Sequence, residues 1–214
     1  MLKSEKNVQE HLMNTIQQVH EKMTLRNHPL KGKDTAFKND YLTLLTAVAG
    51  ADRDFDPKEL QYLKNLAAGL KLQTIELYHN LCAKMTVTSL EKKIRNVKRD
   101  EAELYLLLDA LILASIDSPI TDPEAQYIGL LCDCLSITQI DAKEICTLAR
   151  AVLQRDIRSL QDYLKGHQPL NSEKVHGAYL INFISLVQLQ DMCKASNCKQ
   201  HTAESETTTK KKKR

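Results

Sequence analysis

An acidic elbow between two helices occurs twice in this chain, and it constrains the fold more than any other feature. The first copy spans residues 47–59 and the second spans residues 112–124, and they align without a gap at a constant offset of 65 residues. In each copy an apolar run leads into acidic residues and then into a new helical pattern. The aligned pairs are Asp52 with Asp117, Phe55 with Ile120, and Glu59 with Glu124.

The second half of each elbow is a strong start signal for a helix. Asp56 precedes Pro57, and Glu59 follows at the third helical position. An Asp cap, a proline in the first turn and a Glu that reaches back to the cap together form a capping box. Thr121 and Glu124 have the same arrangement in the second copy. The sequence therefore predicts two helix–elbow–helix units.

Two further capping signals predict where helices begin between these units. Thr88-Ser-Leu-Glu91 has the pattern of a capping box, and Asp100-Glu-Ala-Glu103 has an acidic residue three positions before another acid. We expect the first to begin a short basic helix and the second to cap an apolar helix.

The composition favours helices throughout. Hydrophobic residues make up 43% of the chain, while glycine, proline and phenylalanine number only 6, 5 and 3. Such a chain can bury a core but lacks the turn residues and aromatics of a sandwich or barrel. We expect an all-α bundle that contains the two helix–elbow–helix units, with extra helices at both ends.

Periodicity and breakers divide the chain into four segments. The N-terminal segment has one narrow apolar stripe, and the last segment is polar and simple in composition. The predicted segments are an amphipathic helix in 1–30, a helical domain in 37–153 (repeat units 37–84 and 100–153), helices in 154–195 packed on that domain, and a disordered basic tail in 196–214.

The positive charge of the chain resides in its C-terminal tail. The net charge is +3, and five basic residues end the sequence: Lys210, Lys211, Lys212, Lys213 and Arg214. Without them the chain is slightly acidic, so we expect no specific nucleic-acid partner. Anionic lipid attracts each such residue by about 1 kcal/mol, which makes the tail a candidate membrane or partner contact. A solubilising terminus is the other interpretation.

The sequence favours a cytoplasmic location and offers no catalytic motif. The most apolar run, 104–116, contains Asp109 and is shorter than the roughly 20 residues that a membrane span requires. The first residues lack the apolar region of a signal peptide, and six cysteines are then expected to be reduced. A phosphate loop, a nucleophile elbow and a zincin motif are all missing from the sequence, so we expect a protein that is not an enzyme.

The acidic elbows are candidate sites for a hard divalent cation. Ca²⁺ and Mg²⁺ prefer oxygen ligands, and the first elbow has four carboxylates within eight residues. An EF-hand is excluded, because its required glycine would fall on Pro57 and its bidentate glutamate on Leu63. The candidate ligands are Asp52, Asp54, Asp56, Glu59, Asp117 and Glu124.

Helix capping is the competing interpretation of the same acidic residues. Asp56 and Glu59 are explained as cap and capping-box partner, and acids at a helix N-terminus gain about 0.3–1 kcal/mol from the helix dipole. Only Asp52 and Asp54 have no capping role in the pattern. The second elbow has Ser118 and Pro119 where the first has Arg53 and Asp54. The loss of an acidic residue argues against two equivalent sites.

The paired elbows resemble the tellurite-resistance TerB family and its wider superfamily. The motif reads Val-Ala-Gly-Ala-Asp-Arg-Asp-Phe-Asp-Pro-Lys-Glu in the first copy and Leu-Ala-Ser-Ile-Asp-Ser-Pro-Ile-Thr-Asp-Pro-Glu in the second. The resemblance covers about residues 37–153. The chain departs from the family pattern at Arg53, where a glycine is usual, and at Pro119, where an acid is usual.

The resemblance implies a TerB-like helical bundle in which the two units are related by a pseudo-twofold axis. For function, it implies a non-catalytic binding or scaffold protein in a bacterial stress or defence response. It also implies protein partners, including membrane-associated ones, and the sensing of a divalent cation through the acidic elbows. An alternative function is that of an adaptor at the inner face of the membrane, in contact through the basic tail and the N-terminal helix. The sequence does not indicate the oligomeric state.

Overall fold

The computed structural model describes residues 11, 14–15, 28–52, 56–72, 86–170 and 172–180, with the backbone alone given for residues 172, 173 and 176. The chain divides into two compact units, Met1–Tyr179 and Leu180–Arg214. Leu180 is the one described residue of the second unit, and its side chain is buried. The fold given below is that of the first unit.

Within the described residues the first unit consists of helices and contains no strand. A 3₁₀ turn at Pro29–Gly32 precedes the first α-helix, and a π-helical turn at His176–Leu180 follows the last. The α-helices are α1 (Thr35–Ala49), α2 (Pro57–Gly69), α3 (Val87–Arg99), α4 (Glu103–Ala114), α5 (Asp122–Leu135), α6 (Gln139–Gln154), α7 (Ile157–Lys165) and α8 (Ser172–Val175). The prediction of an all-α fold is confirmed.

Helices α1 and α4 form the centre of the core. Every residue of α4 from Tyr105 to Ala114 is buried, and the buried residues of α1 lie on several of its sides. A helix that is apolar all around has to be enclosed by other helices. The two central helices contact each other; α2, α3 and α5 contact both of them, α6 packs on α4, and α7 packs on α6.

The two elbow units repeat the same backbone hydrogen bonds at the offset of 65 residues. Helix α2 ends where the Leu72 N–H donates to the Ala67 carbonyl, and α5 ends where the Ile137 N–H donates to the Cys132 carbonyl. These six-residue bonds are those of a Schellman motif, which needs a left-handed residue just before the donor. Lys71 and Ser136 occupy that position, with φ values of 58° and 60°. The internal repeat therefore includes the way in which helices α2 and α5 end.

The structure corrects both capping predictions between the units. Helix α3 begins one residue after Thr86, whose hydroxyl accepts from the Ser89 N–H, so the Thr88 capping box is wrong. Asp100 does not cap α4, because α4 begins after Ala102 without a side-chain cap. Asp100 instead ends α3, and its two carboxylate oxygens bind Lys33 and Arg99.

Other predicted segments lie wholly or partly outside the described residues. These are the end of the first repeat unit (73–84), the tail at 196–214, most of the N-terminal helix and the part of the 154–195 helices beyond residue 180. Within the described part of the chain, no helix has the length and apolar character needed to cross a membrane. The described cysteines, Cys132, Cys134 and Cys146, are free thiols.

Candidate functional site

The two acidic elbows have matching capping geometry. In the first, the Asp56 N–H donates to Glu59 Oε2 at 3.1 Å; in the second, the Thr121 N–H donates to Glu124 Oε2 at 2.8 Å. The Thr121 hydroxyl adds a 2.7 Å hydrogen bond to the same Glu124 oxygen. Both glutamates are only 4% exposed. The capping boxes predicted at the elbows are therefore confirmed.

The fold brings the acids of the two elbows into electrostatic contact. Burial raises the pKa of Glu59 from 4.5 to about 7, although the hydrogen bond from the Asp56 backbone lowers it. The negative charges of Glu124, Asp117 and Asp52 contribute to the raised pKa of Glu59 in that order. The second elbow thus acts on the first, because a nearby like charge disfavours ionisation.

The described acids do not form a metal centre. Among residues that the structure describes, no group of three or more His, Cys, Asp or Glu side chains is arranged to hold a metal ion. Asp56, Glu59 and Glu124 instead act in helix caps. Asp54 lies outside the described residues, and so do Arg53 and Phe55. Cation binding at the first elbow therefore stays a prediction that depends on Asp52 and Asp54.

The predicted membrane or partner contact also lies outside the described part of the chain. Lys210, Lys211, Lys212, Lys213 and Arg214 belong to residues 181–214, whose structure is not described. The N-terminal helix contributes only His11, Asn14 and Thr15 to the described residues. The contact through these two segments stays a prediction.

The structure reveals a buried polar cluster that the sequence patterns did not indicate. At its centre is Asp109 of α4, whose side chain is 0% exposed. Its Oδ1 accepts hydrogen bonds from the hydroxyls of Tyr179 (2.6 Å) and Tyr62 (3.0 Å). Its Oδ2 accepts from the Tyr41 hydroxyl (2.7 Å) and lies 3.0 Å from His28 Nε2. Four donors from distant parts of the chain therefore converge on one carboxylate.

The hydrogen bonds fix the tautomer of His28. The Leu30 N–H donates to His28 Nδ1 at 3.2 Å, so Nδ1 is an acceptor and the ring proton is on Nε2. The Nε2–H then points to Asp109 Oδ2 and to the Tyr179 hydroxyl oxygen, which is 2.8 Å away. His28 is thus a neutral donor to the cluster, and the same ring caps the 3₁₀ turn at Pro29–Gly32.

The cluster keeps its tyrosines protonated. Burial, and then the negative charge of Asp109, raises the pKa of Tyr41, Tyr62 and Tyr179 well above 10. Their hydroxyls therefore remain donors to the carboxylate at all ordinary pH values. An ionised carboxylate is costly to bury unless hydrogen bonds replace its hydration, and four donors do so here.

The cluster connects separate segments of the chain through buried hydrogen bonds. All five of its side chains are buried, with exposed fractions between 0% and 7%, so no substrate reaches them in this conformation. Its donors come from the residue before the 3₁₀ turn, from α1, from α2 and from the turn at His176–Leu180. One sequence signal was present: Asp109 is the charged residue in an apolar run that must be buried.

Comparison of the chain with protein-family models, with curated proteins and with solved structures gave no match. The resemblance to the TerB family therefore stays a hypothesis based on the two elbow motifs.

Proposed function

We propose that this protein is a non-catalytic, TerB-like binding protein of a bacterial stress or defence response, and that the paired acidic elbows are its binding face. The single observation that carries the proposal is electrostatic: the charges of Glu124 and Asp117 in the second elbow raise the pKa of Glu59 in the first. Helix capping by itself does not require the acids of one elbow to act on those of the other.

A positively charged ligand is the chemistry that such a face favours. Carboxylates held close together repel one another, and a cation between them offsets that repulsion. Hard divalent cations prefer oxygen ligands, and Asp52 lies beside the converging acids as one of the charges that act on Glu59. Since the described carboxylates do not form a metal centre by themselves, the proposal assigns the cation to Asp52 together with Asp54.

Calorimetric titration with Ca²⁺ and then Mg²⁺ tests this proposal. We expect saturable binding by the full chain, and we expect Asp52→Asn with Asp54→Asn to remove it. The matched control is Asp133→Asn with Asp162→Asn, which removes the same charge from exposed positions on α5 and α7. The proposal fails if no saturable binding occurs, or if both double variants lower the affinity equally.

A growth experiment tests the cellular role separately from cation affinity. A host strain that lacks the gene should be more sensitive to tellurite than its parent, and the wild-type gene should restore growth. Complementation by the Asp52→Asn, Asp54→Asn variant should fail while the control pair succeeds. Equal growth of the deletion strain and its parent would reject the tellurite-type role and leave the calorimetric result standing.

A further inference from the structure

Helix α3 presents a basic face to solvent. The face consists of Lys92, Arg95, Lys98 and Arg99, and all four side chains are exposed, with Arg95 and Arg99 at 71% and 68%. Lys92, Arg95 and Arg99 follow one another at steps of three and four, so they lie on the same side of the helix. The helix buries only Val97 completely. We call this set the α3 basic face.

The orientation of this face is fixed by contacts on the opposite side of α3. Lys93 Nζ and Asn96 Nδ2 donate to the two carboxylate oxygens of Asp40, at 2.5 Å and 2.7 Å. Both side chains of the Lys93–Asp40 ion pair are less than 20% exposed. Because α1 and α3 pack against each other and are joined by this ion pair, the basic face is held toward solvent.

Neighbouring acids do not neutralise the face. Glu91 lies 3.9 Å from Arg95, and both of these side chains are largely exposed, so their attraction is weak. Asp100 is shared between Lys33 and Arg99, each at 3.0 Å, and these two cations hold its pKa below the ordinary value. Lys33 therefore adds a fifth positive charge at one end of the face, against three acids, Glu91, Asp100 and Glu101.

We propose that the α3 basic face docks this protein onto an anionic phospholipid surface. The charges are spread along one exposed helix, over roughly 10 Å from Lys92 to Arg99 at 1.5 Å per residue. Basic residues near an anionic bilayer are attracted to its phosphates in an additive way. Val87, 75% exposed in the first turn of the same helix, offers an apolar side chain to the boundary between headgroups and acyl chains.

A lipid surface fits this face better than a nucleic acid does. Proteins that bind single strands stack bases on aromatic side chains, and α3 has no aromatic residue. Apart from the terminal basic residues, the chain is slightly acidic, whereas duplex binding needs a broad excess of positive charge. This inference goes beyond the acidic elbows, and it differs from the membrane contact predicted for the C-terminal tail.

Vesicle co-sedimentation with the full-length protein tests the inference. Vesicles of phosphatidylcholine with phosphatidylserine are compared with vesicles of phosphatidylcholine alone, and a duplex DNA oligonucleotide serves as the competing polyanion. The test variant is Lys92→Glu with Arg95→Glu. The matched control is Lys143→Glu with Lys165→Glu, an equal change of charge at exposed positions on α6 and α7. Circular dichroism confirms that both variants are folded.

We expect the wild type to bind only the anionic vesicles, and we expect added salt to weaken that binding. The test variant should bind at least about tenfold more weakly, since each basic residue is worth roughly a fivefold change in affinity. The control pair should bind as the wild type does. A third variant, with Ser replacing Lys210 through Arg214, should retain a large part of the binding.

Four results would overturn the inference. The first is no binding of the wild type to anionic vesicles, and the second is equal weakening of vesicle binding in the test pair and the control pair. The third is complete loss of vesicle binding in the Ser-tail variant with no loss in the α3 variant. The fourth is an α3 variant that no longer binds the DNA oligonucleotide but binds vesicles as the wild type does. The third result would assign the membrane contact to the tail, and the fourth would assign α3 to nucleic acid.

Discussion

Asp109 in α4 occupies the position that Leu44 occupies in α1, and both side chains are 0% exposed. The two helices are equivalent in the internal repeat, so one half of the core has a buried carboxylate where the other half has an apolar leucine side chain. The carboxylate accepts hydrogen bonds from Tyr41 and Tyr62 of the first repeat unit and from Tyr179 near the end of the first compact unit. A single polar residue thus breaks the symmetry of the repeat.

Replacing Asp109 with leucine should destabilise the protein strongly, although it makes the two central helices more alike. Three tyrosine hydroxyls would lose their acceptor, while the His28 Nε2–H would keep only the Tyr179 hydroxyl oxygen, and each buried unsatisfied group costs about 1–3 kcal/mol. We expect the free energy of unfolding to fall by more than about 3 kcal/mol in urea titrations. The control Leu44→Met changes shape with little change in volume and should cost less than about 1.5 kcal/mol. Similar losses in both variants would contradict a special role for Asp109.

Tyr179→Phe should loosen the turn at His176–Leu180 more than it loosens the helices around Asp109. The substitution removes one of four donors to a buried carboxylate, at an expected cost of about 1–3 kcal/mol. Amide hydrogen exchange should then accelerate at residues 174–180 before it accelerates in α4. Uniform acceleration across the first unit would show that the turn and the core open together.

Stability should fall as the pH rises above 10. The folded tyrosines of the cluster have pKa values well above 10, so between pH 10 and those values the unfolded chain holds fewer protons than the folded one. Their contribution is therefore complete below pH 10 and is lost by about 1.4 kcal/mol per pH unit and per tyrosine above it. Urea midpoints from about pH 9 to about pH 11 measure the slope. Tyr62→Phe should reduce the slope, and an unchanged slope would argue against the cluster as its source.

Glu59→Gln should stabilise the protein at neutral pH and above. The pKa of Glu59 is raised from 4.5 to about 7, so the favourable contribution of its protonated form is present below pH 4.5 and is lost as the pH rises to about 7. Glutamine keeps the capping geometry without the charge. We expect an advantage on the order of 2 kcal/mol at about pH 8, and little at pH 4.5, in thermal unfolding. Glu91→Gln, at an exposed site, should show no such pH-dependent gain.

Lys71→Gly should stabilise the end of α2. Lys71 has a φ of 58°, a conformation that costs a non-glycine residue about 1 kcal/mol and costs glycine little. We expect a gain of about 0.5–1 kcal/mol in the free energy of unfolding. Lys64→Gly, the same substitution inside α2, should instead lose about 1 kcal/mol. A loss at both positions would mean that the lysine side chain outweighs the backbone strain.

Local patterns were sufficient to predict the elbows but not the electrostatic interaction between their acids. The capping boxes at Glu59 and Glu124 follow from residues three positions apart, because the bonds that define them are local. The effect of Glu124 on the pKa of Glu59 depends on how the two repeat units pack. The prediction of capping was wrong at Asp100, because that residue ends α3 and α4 begins only after Ala102; its carboxylate binds Lys33, 67 residues away.

By itself, the sequence determined the helical class, the repeat and its offset, since helix caps and apolar periodicity act over a few residues. It also contained one signal of the buried cluster, because Asp109 is the one charge in the apolar run 104–116. Only the tertiary structure decided which groups would satisfy that charge: Tyr62 is 47 residues away, Tyr179 is 70 and His28 is 81. The reason is physical. A buried carboxylate requires donors, but which donors reach it depends on how distant helices pack.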